Sequence, residues 1–254
     1  MSLYIETSGR GPDVVLLHGW GLHGGVFARV AERLSADYTL HLVDLPGHGY
    51  TPLDGVHGPA AVAAQLTAMF PLPVQVVGWS LGGLVAQHWA AQAPHSVKSA
   101  ALICTSPRFV KSEDWPHAQK REAIEAVGAS LATEFAQTLE RFLALQMLGA
   151  PAARDTLKAV KEILFAHGRP EGLEPALQWL LHSDARPLVR AITCPVGLFF
   201  GAKDAITPLG AGRWLAEQLP DAELFVFEQA SHAPFLSHEP EFIERLSGFL
   251  AATA

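Results

Sequence analysis

The sequence predicts an α/β fold: a mostly parallel sheet with helices on both faces and an all-helical insertion past its middle. Three observations lead there. Short apolar runs rich in β-branched residues recur without strict alternation, as in "DVVLLHG", "YTLHLVDLPG", "PVQVVGWS", "KSAALICTS", "CPVGLFFGAKD" and "AELFVFEQASH". That pattern suits strands buried on both faces. Between the early runs lie stretches with helical patterning, which implies crossovers joining parallel strands. From about Trp115 to about His182 the alternation stops and the chain reads almost wholly as helix.

The elements justify themselves in order. "GGVFARVAERLSA" reads as a helix after the first run, and "GPAAVAAQLTAMF" as a helix after the second. "SLGGLVAQHWAAQAP" follows the third and stops before Pro94, whose ring and missing N–H cannot continue a helix. The insertion carries "HAQKREAIEAVGASLATEFAQTLERFLALQML", "APAARDTLKAVKEILFAHG" and "EGLEPALQWLLHS". Strands resume at Pro195. The expected division is therefore a core of residues 1–110 and 186–254 with a helical lid, 111–185, inserted between core strands. The competing division, an independent helical domain, leaves the two flanking segments each without the partner that completes the sheet.

Composition narrows the function classes. The chain has 254 residues, 49% of them hydrophobic and 17% charged, which is globular and ample for one core. A net charge of −7 argues against nucleic acid as a partner. No apolar run reaches the roughly 20 residues of a membrane span, and the N-terminus lacks the pattern of a signal peptide. The two cysteines, Cys104 and Cys194, have no metal-ligand spacing and read as free thiols. A cytoplasmic monomer with neither metal nor organic cofactor is expected.

Gly78-Trp79-Ser80-Leu81-Gly82 matches G-x-S-x-G between a strand and a helix. Such a sharp turn strains the serine, and small neighbours at 78 and 82 remove the clashes. The hydroxyl then projects at a helix N-terminus, where developing negative charge is favoured. A helix N-cap is the plainer role for such a serine. A nucleophile, however, needs a base oriented by an acid, and later strand ends supply both in the order this chemistry uses on such sheets. Asp204 closes "FFGAKD" and His232 closes "FEQASH". Other candidates are misplaced: His41 and His88 fall inside elements, His238 lies in a later connection, and Asp184 and Asp221 precede strands. Asp44, amid Pro46, Gly47 and Gly49, reads as a structural turn. The early loop "LLHGWG" is positioned to aim a backbone N–H at a forming oxyanion, so Trp20 and Leu81 are the expected donors. His18 is expected to brace that loop.

Together these segments resemble the α/β-hydrolase family over essentially the whole chain. "LLHGWGL", "LHLVDLPGHG", "GWSLGGLVA", "ERFLALQ" and "HAPFLSHEP" more closely resemble its pimeloyl-[acyl-carrier protein] methyl ester esterases of biotin synthesis. The resemblance implies a serine carboxylesterase that removes a methyl group from a pimeloyl chain still attached to its carrier protein. It implies acyl contacts from Trp20 and Leu81 and from Phe142, Leu143, Ala144, Leu145 and Gln146. It also implies that Arg141, Arg154 and Lys158, with Lys161 nearby, meet the acidic carrier, while Gln137 stands where another arginine is expected. The alternatives are a general short-chain carboxylesterase, an acyltransferase using the same triad, or a ligand-binding protein without turnover.

Overall fold

In a computed structural model the protein is described over residues 3–55, 58–146 and 153–254, with the side chains of 153–157 and 159 also outside the description. Seven strands form one sheet: β1 (Ile5–Gly9), β2 (Asp13–Leu17), β3 (Thr39–Val43), β4 (Val74–Trp79), β5 (Val97–Ile103), β6 (Val196–Gly201) and β7 (Ala222–Phe227). Their spatial order is β1-β3-β2-β4-β5-β6-β7. All pairings are parallel except β1 with β3, which is antiparallel. The six strands from β2 onward coincide with the six apolar runs. The first strand is an addition to the sequence reading. Its residues "IETSG" are mostly exposed, so it carries no apolar run by which to be recognised.

Strands β4 and β6 are buried at every position, as continuous apolar runs require in a sheet covered on both faces. The covering helices are α1 (Ala28–Leu34), α2 (Pro59–Met69), α3 (Leu81–Gln92), α8 (Leu209–Gln218), α9 (Pro234–Ser237) and α10 (Glu239–Ala252). The insertion supplies α4 (Arg121–Thr133), α5 (Phe135–Gln146), α6 (Ala153–Phe165) and α7 (Leu173–His182). The long helical run that the sequence suggests is broken at Glu134, which leaves helical geometry at φ −132°.

Although about ninety residues separate them in sequence, β5 and β6 are hydrogen-bonded neighbours, with Ala100 opposite Val196 and Ile103 opposite Phe199. The insertion therefore leaves the sheet unbroken. It lies over the carboxyl ends of the strands and is tied to the loops there. The Trp20 indole donates to the Leu173 carbonyl at 2.8 Å, and the Gln119 amide donates to the Ile206 carbonyl, also at 2.8 Å. A ring nitrogen of His23 meets the Ile163 carbonyl at 3.0 Å.

Candidate active site

The strand β4 must become the helix α3 within one residue, and Ser80 absorbs the turn at φ 54°, ψ −113°. A positive φ is uncommon and strained for a residue with a Cβ. The surroundings hold it there. The Ser80 N–H donates to the Ile103 carbonyl at 3.0 Å, and the Thr105 hydroxyl donates to the Ser80 carbonyl at 2.6 Å. The flanking glycines are required by close approach: a Cβ on Gly78 would sit 2.7 Å from the Gly82 carbonyl oxygen, and one on Gly82 only 2.1 Å from that of Leu17. Gly83 extends the same requirement, since its Cβ would meet the Thr105 side chain at 2.5 Å.

Asp204 and His232 come from the loops after β6 and β7 and meet in the interior. His232 Nδ1 lies 2.8 Å from Asp204 Oδ2, with both side chains essentially inaccessible to solvent. The other carboxylate oxygen, Oδ1, accepts the backbone N–H groups of Ile206 at 2.7 Å and Thr207 at 3.0 Å. The Thr207 hydroxyl donates to Oδ2 at 2.6 Å and lies 3.2 Å from His232 Nδ1. A carboxylate with donors at both oxygens is held in one orientation. Because Oδ2 is ready to accept, the neutral imidazole is driven to carry its proton on Nδ1. That leaves Nε2 as an unprotonated nitrogen, and this atom is buried with no partner among the described residues. The Trp79 indole donates to the His232 carbonyl at 2.8 Å and its ring packs against the imidazole, bracing His232 from the strand that also carries the serine turn.

Cys104, at φ 41°, lies directly after β5 beside this pair. Burial pushes its thiol well above the ordinary range, and the Asp204 charge acts in the same direction. It is therefore a neutral, weak donor, facing the Phe199 and Ser231 carbonyls at 3.6 and 3.7 Å. Cys104 and Cys194 are both free and buried.

The loop after β2 brings Trp20 beside the serine. No hydrogen bond within the described residues engages the backbone N–H of Trp20 or Leu81. His18 is fully buried, accepts the Leu45 N–H at Nε2 (2.9 Å) and bonds the Gly19 carbonyl through Nδ1 (2.8 Å). Burial, aided by neighbouring His48, holds its pKa well below the usual value, so it is a neutral brace. Asp44 secures the adjoining turn, accepting the N–H groups of Gly24 at 2.7 Å and Tyr50 at 2.9 Å.

Above Ser80 is a cavity of about 160 Å³, lined by Trp20, Phe109, Ile124, Val127, Phe142 and Leu145 among others. Ser80 and Gln119 are the hydrogen-bonding side chains in an otherwise apolar lining whose indole is already committed to Leu173. The run 142–146 does not face this cavity as a block. Phe142 and Leu145 line it, three residues apart on one helix face, and the Phe142 ring meets Trp20 edge-on at 5.1 Å. Leu143 and Gln146 are buried outside the lining, and Ala144 is exposed. Phe109 and Ile206 come from irregular segments whose patterning carries no helix or strand signal, and Gln119, which the sequence reading places inside the long helical run from His117, lies in the non-helical segment just before α4.

Arg141 is exposed and engages Glu134 and Gln137, both at 3.3 Å. Lys158 is exposed, and Lys161 pairs with Glu140 at 2.7 Å. The side chain of Arg154 lies outside the described residues.

A serine turn at a helix N-terminus and a buried histidine–aspartate pair, all three residues following strands of one mostly parallel sheet, are the parts of a serine hydrolase. The chain belongs to the alpha/beta hydrolase family, whose sequence model matches residues 14–245. It is 66% identical over 254 residues to a Chromobacterium violaceum protein named pimeloyl-[acyl-carrier protein] methyl ester esterase, with both chains covered completely. A protein of the same name from Stenotrophomonas maltophilia is 42% identical, covering 98% of this chain and 97% of its own. Among solved structures, an esterase from Exiguobacterium antarcticum superposes with a TM-score of 0.91 at 22% identity, covering 98% of this chain and 95% of its own. A bromoperoxidase from Bacillus anthracis gives a TM-score of 0.88 at 23% identity, with the same coverage. Such distant likenesses define the fold. Among the described residues, no helix is long and apolar enough to cross a membrane.

Proposed function

We propose that the protein hydrolyses the methyl ester of a pimeloyl chain carried on acyl-carrier protein, the step that frees the chain's distal carboxyl group for biotin synthesis. The single observation that carries this reading is the end-to-end 66% identity to a relative of that name. The apolar cavity over Ser80 supports it, because an uncharged ester on an alkyl chain enters such a space without desolvating a charge.

In this mechanism His232 Nε2 takes the Ser80 proton as Oγ attacks the ester carbonyl. Asp204 stabilises the imidazolium through Nδ1–H and is not itself protonated. The tetrahedral oxyanion rests on the N–H groups of Trp20 and Leu81. Collapse expels methanol, which receives the proton from His232. Water, deprotonated by the same nitrogen, then attacks the acyl-enzyme and releases the free acid and Ser80. These steps use no metal or organic cofactor. The 111–185 segment acts as a lid, and its Arg141, Arg154 and Lys158 meet the acidic carrier. A cytoplasmic monomer fits such a role.

Mass spectrometry of the carrier-linked ester, following loss of the methyl group, tests the activity directly. Reversing Arg141, Arg154 and Lys158 to Glu, singly and together, tests the docking. The combined variant is expected to lose more than about tenfold in kcat/KM on the carrier-linked ester, because like charges then face each other. On a short neutral ester the change stays below about twofold. An equal loss on both substrates signals damage to the lid; no loss on either removes the docking surface from the proposal.

A further inference from the structure

We infer that Thr207 is a positioning residue for the His232–Asp204 pair, acting through its hydroxyl. The inference rests on the proposed triad. Thr207 is almost fully buried, and among the described residues its Oγ1 makes two hydrogen-bond contacts, to Asp204 Oδ2 at 2.6 Å and His232 Nδ1 at 3.2 Å. The hydroxyl has one proton to give. The short contact to the carboxylate is charge-assisted and takes it. The long contact to Nδ1 is then satisfied only if Nδ1 carries a proton of its own. The hydroxyl thus favours the tautomer that leaves Nε2 free.

It also closes the last degree of freedom of the carboxylate. The backbone N–H groups of Ile206 and Thr207 hold Oδ1, but a group pinned at one oxygen can still rock about that point. The hydroxyl pins Oδ2 from a direction other than that of the imidazole. Oδ2 therefore stays in line with Nδ1–H while the imidazole gains and loses its charge. A threonine two residues before a helix reads as ordinary turn chemistry. Here its backbone N–H closes the turn on Asp204 Oδ1, while its hydroxyl takes the other oxygen of the same carboxylate and reaches His232.

The experiment compares Thr207→Val, which keeps the shape and removes the hydroxyl, with Thr207→Ser, which keeps the hydroxyl and removes a methyl group. Thr207→Ala stands in if the valine variant does not fold, and thermal melts establish folding for each. Turnover of a short neutral ester is resolved into kcat and KM. Removing the hydroxyl is expected to lower kcat about 10-fold, equivalent to about 1.4 kcal/mol of barrier, with KM unchanged because Thr207 does not line the cavity. Thr207→Ser is expected to stay within about twofold of the parent. Wild-type kcat in a folded Val or Ala variant overturns the inference, as does a loss in the serine variant equal to that in valine, or a change confined to KM. Ser80→Ala serves as the control for the triad itself. If it retains turnover, the proposed nucleophile is wrong, whereas an inactive Ser80→Ala beside an unaffected Thr207→Val removes only the role given to Thr207.

Discussion

Replacing Asp204 with Asn changes one atom and sets two ends of the same group against each other. The amide must place its NH2 where one carboxylate oxygen stood. If NH2 replaces Oδ1, it faces the backbone N–H groups of Ile206 and Thr207, at 2.7 and 3.0 Å, which cannot turn away. Each buried donor left unmatched costs about 1–3 kcal/mol, so this orientation costs about 2–6 kcal/mol. If NH2 replaces Oδ2, it faces the Thr207 hydroxyl and His232 Nδ1, at 2.6 and 2.8 Å. Both of these adapt: the hydroxyl rotates to accept, and the imidazole moves its proton to Nε2 so that Nδ1 accepts. The second orientation wins, and its consequence is kinetic. With a proton on Nε2, His232 has no lone pair for Ser80. Asp204→Asn is therefore expected to fold, with a loss of about 1–2 kcal/mol as the charge-assisted bonds to Oδ1 become neutral ones. At about 2–4 °C per kcal/mol for a chain of this size, the melting temperature falls by no more than about 8 °C. Turnover is expected to fall about 10³–10⁴-fold. Initial rates on a chromogenic ester, a thermal melt and imidazole ¹⁵N shifts read the three quantities. A folded variant that retains more than about a tenth of the parent rate refutes the reasoning, as does an imidazole still protonated at Nδ1.

Other consequences are read more simply. Gly82→Ala places a Cβ 2.1 Å from the Leu17 carbonyl oxygen and 2.7 Å from that of His18; these backbone atoms must move, at about 1–3 kcal/mol, and kcat should fall with the melting temperature because Leu81 and Trp20 are pushed apart. A melt and rate equal to the parent's contradict that. Stability should also decline on mild acidification. His18 lies well below its ordinary pKa through burial and the neighbouring His48, and burial lowers His48 to about 4 despite its bond to the Pro46 carbonyl. The folded state keeps both neutral, whereas the unfolded chain takes up protons below about pH 6.5. Their contribution is thus complete above that pH and lost as pH falls below it, down to about 4 for His48, by about 1.4 kcal/mol per pH unit for each histidine. Urea titrations at pH 7 and 5 measure it, and a pH-independent midpoint contradicts it.

The buried strands were legible because burial on both faces writes itself as uninterrupted apolar residues. The edge strand β1 was not, since four of its five residues face solvent and its place depends on pairing with β3. Ser80, Asp204 and His232 stood out because each polar side chain follows an apolar run in a fixed order, and the fold brings the last two into contact. Thr207 and Gln119 had no such mark. Their importance lies in which oxygen or carbonyl each reaches, and that is set by the path of two irregular segments. Similarly, "FLALQ" reads as a contiguous stretch, but the helical period turns only Phe142 and Leu145 toward the cavity.

The brace formed by His18 has a reach beyond its own contacts. A peptide unit is flat and trans, so its carbonyl and its N–H point opposite ways and turn together like the arms of a weathervane. The unit joining Gly19 to Trp20 is gripped at its carbonyl by His18 Nδ1, while Nε2 of the same ring is committed to the Leu45 N–H. Holding the tail of the vane fixes its head. The heading of the Trp20 N–H is therefore set from the far side of the loop, by an imidazole that never touches the substrate, before any ester arrives.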